Sequence, residues 1–117
     1  MRAADVMTRD VATCRPNQTA ADAARVMWDR DCGVVPVVDE HGSLRGIVTD
    51  RDLLMATQMK GKSPAELPLS SLISGQVISG QVAPGQVETC LEDSDVESIL
   101  KAMARRQIRR VPVVDAQ

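Results

Sequence analysis

Apolar residues in this chain alternate between a helical spacing and a strand-like one. Val96, Ile99, Leu100 and Met103 recur at i, i+3, i+4 and i+7, the signature of one helix face. Ser94 and Glu97 stand at capping-box spacing before that stripe. Ala20, Ala23, Ala24 and Met27 repeat the spacing upstream, and so many alanines imply that a neighbour packs close there or that less is buried. Short runs rich in β-branched residues separate the helical stripes: VATC at 11–14, VVPVV at 34–38, LRGIVT at 44–49 and VETC at 87–90. DEHG at 39–42 reads as a turn, and DRDLLMATQM at 50–59 as a helix entered at Thr49 or Asp50. The predicted order is strand, helix, strand, strand, helix. Pro36 and Pro112 lack an amide donor, so each interrupts a ladder unless its position compensates.

The elements occur twice. Val11 to Asp39 matches Val87 to Asp115 at a constant offset of 76 without a gap, carrying Met27 onto Met103, Arg30 onto Arg106 and VPVVD onto VPVVD. The expected organisation is a first repeat at 1–59, a linker at 60–83 and a second repeat at 84–117, which stops where the first continues into its last strand and helix. Residues 73–87 read ISGQV-ISGQV-APGQV, ten residues more than the match requires. Lengthening a loop costs little, so this excess is expected to be an exposed, locally disordered connection.

Composition narrows the class. The chain has 117 residues, is 44% hydrophobic and 26% charged, and carries a formal charge of −2. That balance belongs to a folded soluble protein rather than a disordered one. Without Phe or Tyr, and with Trp28 alone, the core is aliphatic, and the stacking platform of single-strand nucleic acid binders is missing. The acidic total also argues against phosphate-backbone binding, despite RRQIRR at 105–110. No apolar run is long enough to span a bilayer. Cys14, Cys32 and Cys90 form no C-x-x-C pair, and no secretory signal opens the chain, so a cytoplasmic location is expected.

The tandem V-x-T-C words, amphipathic helices, G-x-x-P-V-V-D and above all GIVTDRDLL at 46–54 resemble a pair of CBS (cystathionine β-synthase type) domains, a Bateman module. The resemblance covers residues 2–58 and 84–115 and implies two pseudo-symmetric α/β repeats packed through their sheets. It also implies clefts that hold AMP, ADP, ATP or S-adenosylmethionine, with no cofactor required. Carried over by position, Asp52 of T-x-x-D would hold the ribose with Thr49 nearby. Asp10, Ala12, Cys32, Gly33 and Val34 would lie against the base, and Arg109 and Arg110 would reach phosphates. The local chemistry agrees in part. Asp50 and Asp52 repel a phosphate from their helix start, whereas a carboxylate there accepts vicinal hydroxyls well. Thr49 and Asp52 also suit a plain helix cap, and arginines suit a solvated helix end. Gly33 permits close approach of a flat ring to the main chain.

Other functions fit less well. Asp50 and Asp52 sit two apart on one helical turn and point differently, His41 lies in a turn, and no Walker-type loop occurs, so catalysis is not expected. The cysteine spacings match no zinc pattern, and Cys14 and Cys90 read as small core residues. The remaining readings are an adenosine-nucleotide sensor, expected as a homodimer acting on an unidentified target protein, and a ligand-free dimerisation or docking module.

Overall fold

The computed structural model describes residues 1–73, 77–79 and 87–115. Its elements are α1 (Ala3–Val6), α2 (Ala20–Arg30), β1 (Val34–Val38), β2 (Leu44–Thr49), α3 (Asp50–Lys60), β3 (Val77–Ser79), β4 (Val87–Leu91), α4 (Val96–Arg106) and β5 (Val113–Val114), with 3-10 turns at Pro64–Glu66 and Leu69–Ser71. The chain divides into two compact α/β units, one spanning Ala12–Gln76 and the other combining Met1–Val11 with Val77–Gln117.

In the Ala12–Gln76 unit, β1 and β2 pair antiparallel, with Val34 opposite Thr49 and Val35 opposite Val48. The expected strand at 11–14 contracts to one parallel bridge between Cys14 and Val37. The Cys14 amide donates to the Pro36 carbonyl at 3.0 Å, and the Val38 amide donates to the Cys14 carbonyl at 2.8 Å. The next bond of that ladder requires an amide at position 36, which proline lacks. The second copy keeps a full strand because β4 has support on its other side: β3 pairs parallel with Val87–Thr89, while Cys90 and Leu91 pair with β5. Val77–Ser79 thus form a strand within the connection expected to be disordered; residues 74–76 and 80–86 lie outside the described residues.

Helix starts follow local chemistry. Thr19 and Asp22 form a capping box on α2, as Thr49 and Asp52 do on α3. On α4 the cap is Asp95, which accepts from the Ser98 amide at 3.2 Å. Ser94 instead closes the preceding turn, accepting from the Leu91 amide at 2.9 Å, so the Ser94–Glu97 box expected from spacing does not form. Asp31 and Gln107, equivalent positions in the two copies, both end their helices in the left-handed conformation, with φ of 51° and 56°.

The alanines of α2 have a specific cause. After α3 the chain returns across the start of α2: the Leu67 carbonyl accepts from the Ala20 amide at 2.8 Å, and the Leu69 amide donates to the Gln18 carbonyl at 2.7 Å. Leu67 and Leu69 are buried against Ala20, Ala23, Met27, Val35, Val37, Val48 and Leu53. Ala24 points outward. In the other unit the N-terminal segment makes the same bonds: the Met1 carbonyl accepts from the Val96 amide at 2.9 Å, and the Ala3 amide donates to the Ser94 carbonyl at 2.8 Å. The helix positions keep the offset of 76, while the strap positions differ by 66, and the ten-residue gap equals the pentad excess. On α4 Ala102 is buried, Ile99 and Met103 are half-buried and Leu100 is exposed, which corrects the face expected from periodicity.

Candidate functional site

Six of the nine expected site residues lie in the Ala12–Gln76 unit, and the backbone brings most of them together. Val34 pairs with Thr49, and the Asp50 amide donates to the Gly33 carbonyl at 3.0 Å. Cys32, Gly33 and Val34 therefore adjoin the N-terminus of α3. Cys32 is exposed, with its thiol 3.6 Å from the Val34 carbonyl, and Ala12 is half-buried two residues before the Cys14 bridge.

At that helix start the Thr49 amide donates to Asp52 Oδ2 at 2.8 Å, and the Asp52 amide donates to Thr49 Oγ1 at 3.1 Å. The capping interpretation of T-x-x-D is thus realised. It engages only one carboxylate oxygen, and Asp52 is exposed to solvent, so the second oxygen is available to accept hydroxyl donors. Asp50 is also exposed, and its Oδ1 accepts from the Arg51 amide at 2.8 Å. Two carboxylates at one helix terminus favour a neutral polyol over an anion there.

Asp10, Arg109 and Arg110 belong to the other unit, and all three are exposed. Cys14 and Cys90 are buried core residues, and burial pushes both thiols above the ordinary range, with smaller contributions from the charges of Asp22 and Glu88 respectively. His41 is a surface residue beside Glu40, in a turn where Asp39 Oδ1 accepts from the amides of His41 and Ser43.

Sequence reasoning missed one pair. Arg106 was expected on a solvated helix face, but its Nη1 lies 3.7 Å from Oε2 of Glu88, with side chains 19% and 7% exposed. The available signal was the substitution between copies, since Glu88 stands where the first repeat has Ala12. On a strand, Glu88 shares its face with core residue Cys90.

The CBS domain profile matches residues 3–58 and 80–117. The chain belongs to the CBS domain family. It is 38% identical over 111 residues to the CBS domain-containing protein YhcV of Bacillus subtilis, covering 95% of this chain and 71% of that one. It is 35% identical to the protein MK0525 of Methanopyrus kandleri, where the match covers 95% of this chain and about half (52%) of the relative. Among solved structures, the CBS domain pair of protein MJ0100, in complex with 5′-methylthioadenosine and S-adenosyl-L-methionine, superposes with a TM-score of 0.75 at 27% identity, covering 99% of this chain and 82% of that one. The tandem CBS organisation inferred from the offset of 76 is thereby established. Among the described residues, no helix is long and apolar enough to cross a membrane.

Proposed function

We propose that this CBS pair is a non-catalytic regulatory module that binds an adenosine-containing ligand: AMP, ADP, ATP or S-adenosylmethionine. The observation that carries the reading is the α3 terminus, where an exposed carboxylate with one oxygen outside its cap adjoins the Gly33–Val34 backbone. In this reading Asp52 accepts the ribose hydroxyls and Thr49 holds it in place through the cap. Ala12, Cys32, Gly33 and Val34 flank the base, with Asp10 as a further contact. The likeness to the MJ0100 pair, whose complex holds two adenosine derivatives, supports the ligand class. Arg109 and Arg110 are proposed phosphate contacts, since the guanidinium fork matches phosphate oxygens. The proposal places the module in the cytoplasm as a homodimer, to which the exposed Trp28, Leu54 and Met59 contribute apolar surface. Binding favours whichever conformation holds the ligand more tightly, and that difference is the regulatory signal.

Thermal denaturation with each of the four ligands tests the reading. At 100 times its dissociation constant a ligand adds about 2.7 kcal/mol of stability. A raised midpoint with at least one ligand is expected; none with any of the four refutes nucleotide sensing and leaves the ligand-free docking module. Arg110→Ala should weaken ATP far more than adenosine, and equal losses would remove the phosphate assignment.

A further inference from the structure

After α3 the first repeat folds a strap back over its own core. Residues 61–66 are exposed, and Leu67 and Leu69 then turn inward and are buried. A single bridge between Thr19 and Pro68 holds the strap, rather than a ladder. The Leu69 amide donates to the Gln18 carbonyl at 2.7 Å and the Ser70 amide to the Pro16 carbonyl at 2.9 Å. The far end of the strap is fitted to β2. A Cβ on Gly46 would lie 3.0 Å from Cβ of Ile73 and 3.1 Å from its Cγ2, so Ile73 seats there because position 46 has no side chain. The junction that presents the candidate site also makes this seat. Val48 and Leu53 flank residues 49–52 in the chain, and both belong to the buried cluster that contains Leu67 and Leu69, with Ile73 packed against it. Asp50 and Asp52 face solvent from the same turn. One β2–α3 junction therefore carries T-x-x-D on its outer side and the strap on its inner side.

We propose that the strap at 67–73 is a conformational switch of the first repeat, opening as a unit and seating fully only while the β2–α3 junction is held in its capped form. The inference rests on the nucleotide reading for what reinforces the cap. A ligand held at Thr49 and Asp52 closes the strap, and by linkage an open strap binds that ligand more weakly. The strap is also the last part of the first repeat before the connection to β4, so occupancy is written into the segment that joins the two copies.

Amide hydrogen exchange of the full chain tests the switch, with the Val38 amide, bonded to the Cys14 carbonyl, reporting the stability of the β1 sheet. The Leu69 and Ser70 amides should share one protection factor, lower than that of Val38, because a strap that opens by itself exposes them without global unfolding. Gly46→Ala crowds Ile73 and should speed both by about fivefold or more. Asp52→Ala, measured without ligand, removes the cap and should speed them by about fivefold. S-adenosylmethionine, or AMP, ADP or ATP if one of these is what raises the melting midpoint, is then added at 100 times its dissociation constant. It should slow both amides at least about tenfold, with a ceiling of about 100-fold. Leu69 and Ser70 as protected as Val38 would show that the strap has no opening of its own. Exchange unmoved by Asp52→Ala, or unmoved by a ligand that protects Val38, would break the coupling. If none of the four ligands binds, the nucleotide reading fails by itself, and Asp52→Ala still decides whether the strap answers to the junction.

Discussion

Replacing Asp52 by alanine separates the two roles that its position allows, because the protein contains its own control. Thr19 and Asp22 on α2 form the same box as Thr49 and Asp52 on α3: the Thr19 amide donates to Asp22 Oδ2 at 2.8 Å, and the Asp22 amide donates to Thr19 Oγ1 at 3.3 Å. Removing either acid forfeits one capping interaction, a cost of about 1 kcal/mol. Asp22→Ala and Asp52→Ala should therefore lower the melting midpoint by similar amounts, about 4 °C. Binding should differ sharply. If Asp52 accepts ribose hydroxyls, its loss removes hydrogen bonds to a charged acceptor, about 1.5–3 kcal/mol or roughly 10- to 150-fold in affinity. Asp22→Ala should bind as the unmodified protein does. Isothermal titration with whichever adenosine ligand raises the midpoint measures both. Comparable affinities in the two variants would show Asp52 to be a cap and nothing more.

Other consequences are equally direct. Leu69→Ala empties a fully buried site beneath the strap on α2 and should cost about 2–5 kcal/mol in chemical denaturation. A loss below 1 kcal/mol would mean the strap is not seated there. Gln107→Gly relieves a left-handed residue at the end of α4 and should stabilise by about 1 kcal/mol, read as a higher melting midpoint. Cys32 should react with a thiol reagent before Cys14 and Cys90, which are buried. Because burial raises the two core thiols, the folded state holds their protons more tightly than the unfolded chain. Their contribution is complete below the ordinary thiol pKa and is lost as pH rises through the raised values, so unfolding curves should shift to lower denaturant on the alkaline side. An unchanged midpoint there would contradict the burial of these thiols.

Much of the architecture was legible because its determinants are local. Helical spacing suffices to place α2, and a threonine three residues before an aspartate adds the cap of α3, since both signals involve neighbours within a turn or two. The register of the two copies likewise needs only comparison along the chain. At the candidate site, T-x-x-D and the glycine beside it were readable for the same reason.

What the sequence by itself determined is the repeated pattern, the entry to α3 at Thr49 and the aliphatic character of the core. Only the tertiary structure decided which segments cover which. Leu67 and Leu69 carry no local mark saying that they close over α2, nor does Met1–Ala4 for α4, because those bonds join residues far apart in the chain. VETC is a strand and VATC a single bridge because a neighbour supports one edge and a proline ends the other ladder. Ala102 turns inward while Leu100 faces water, and Glu88 meets Arg106 inside. Each of these outcomes depends on what lies across the sheet or groove, a long-range contact that periodicity along one segment does not contain.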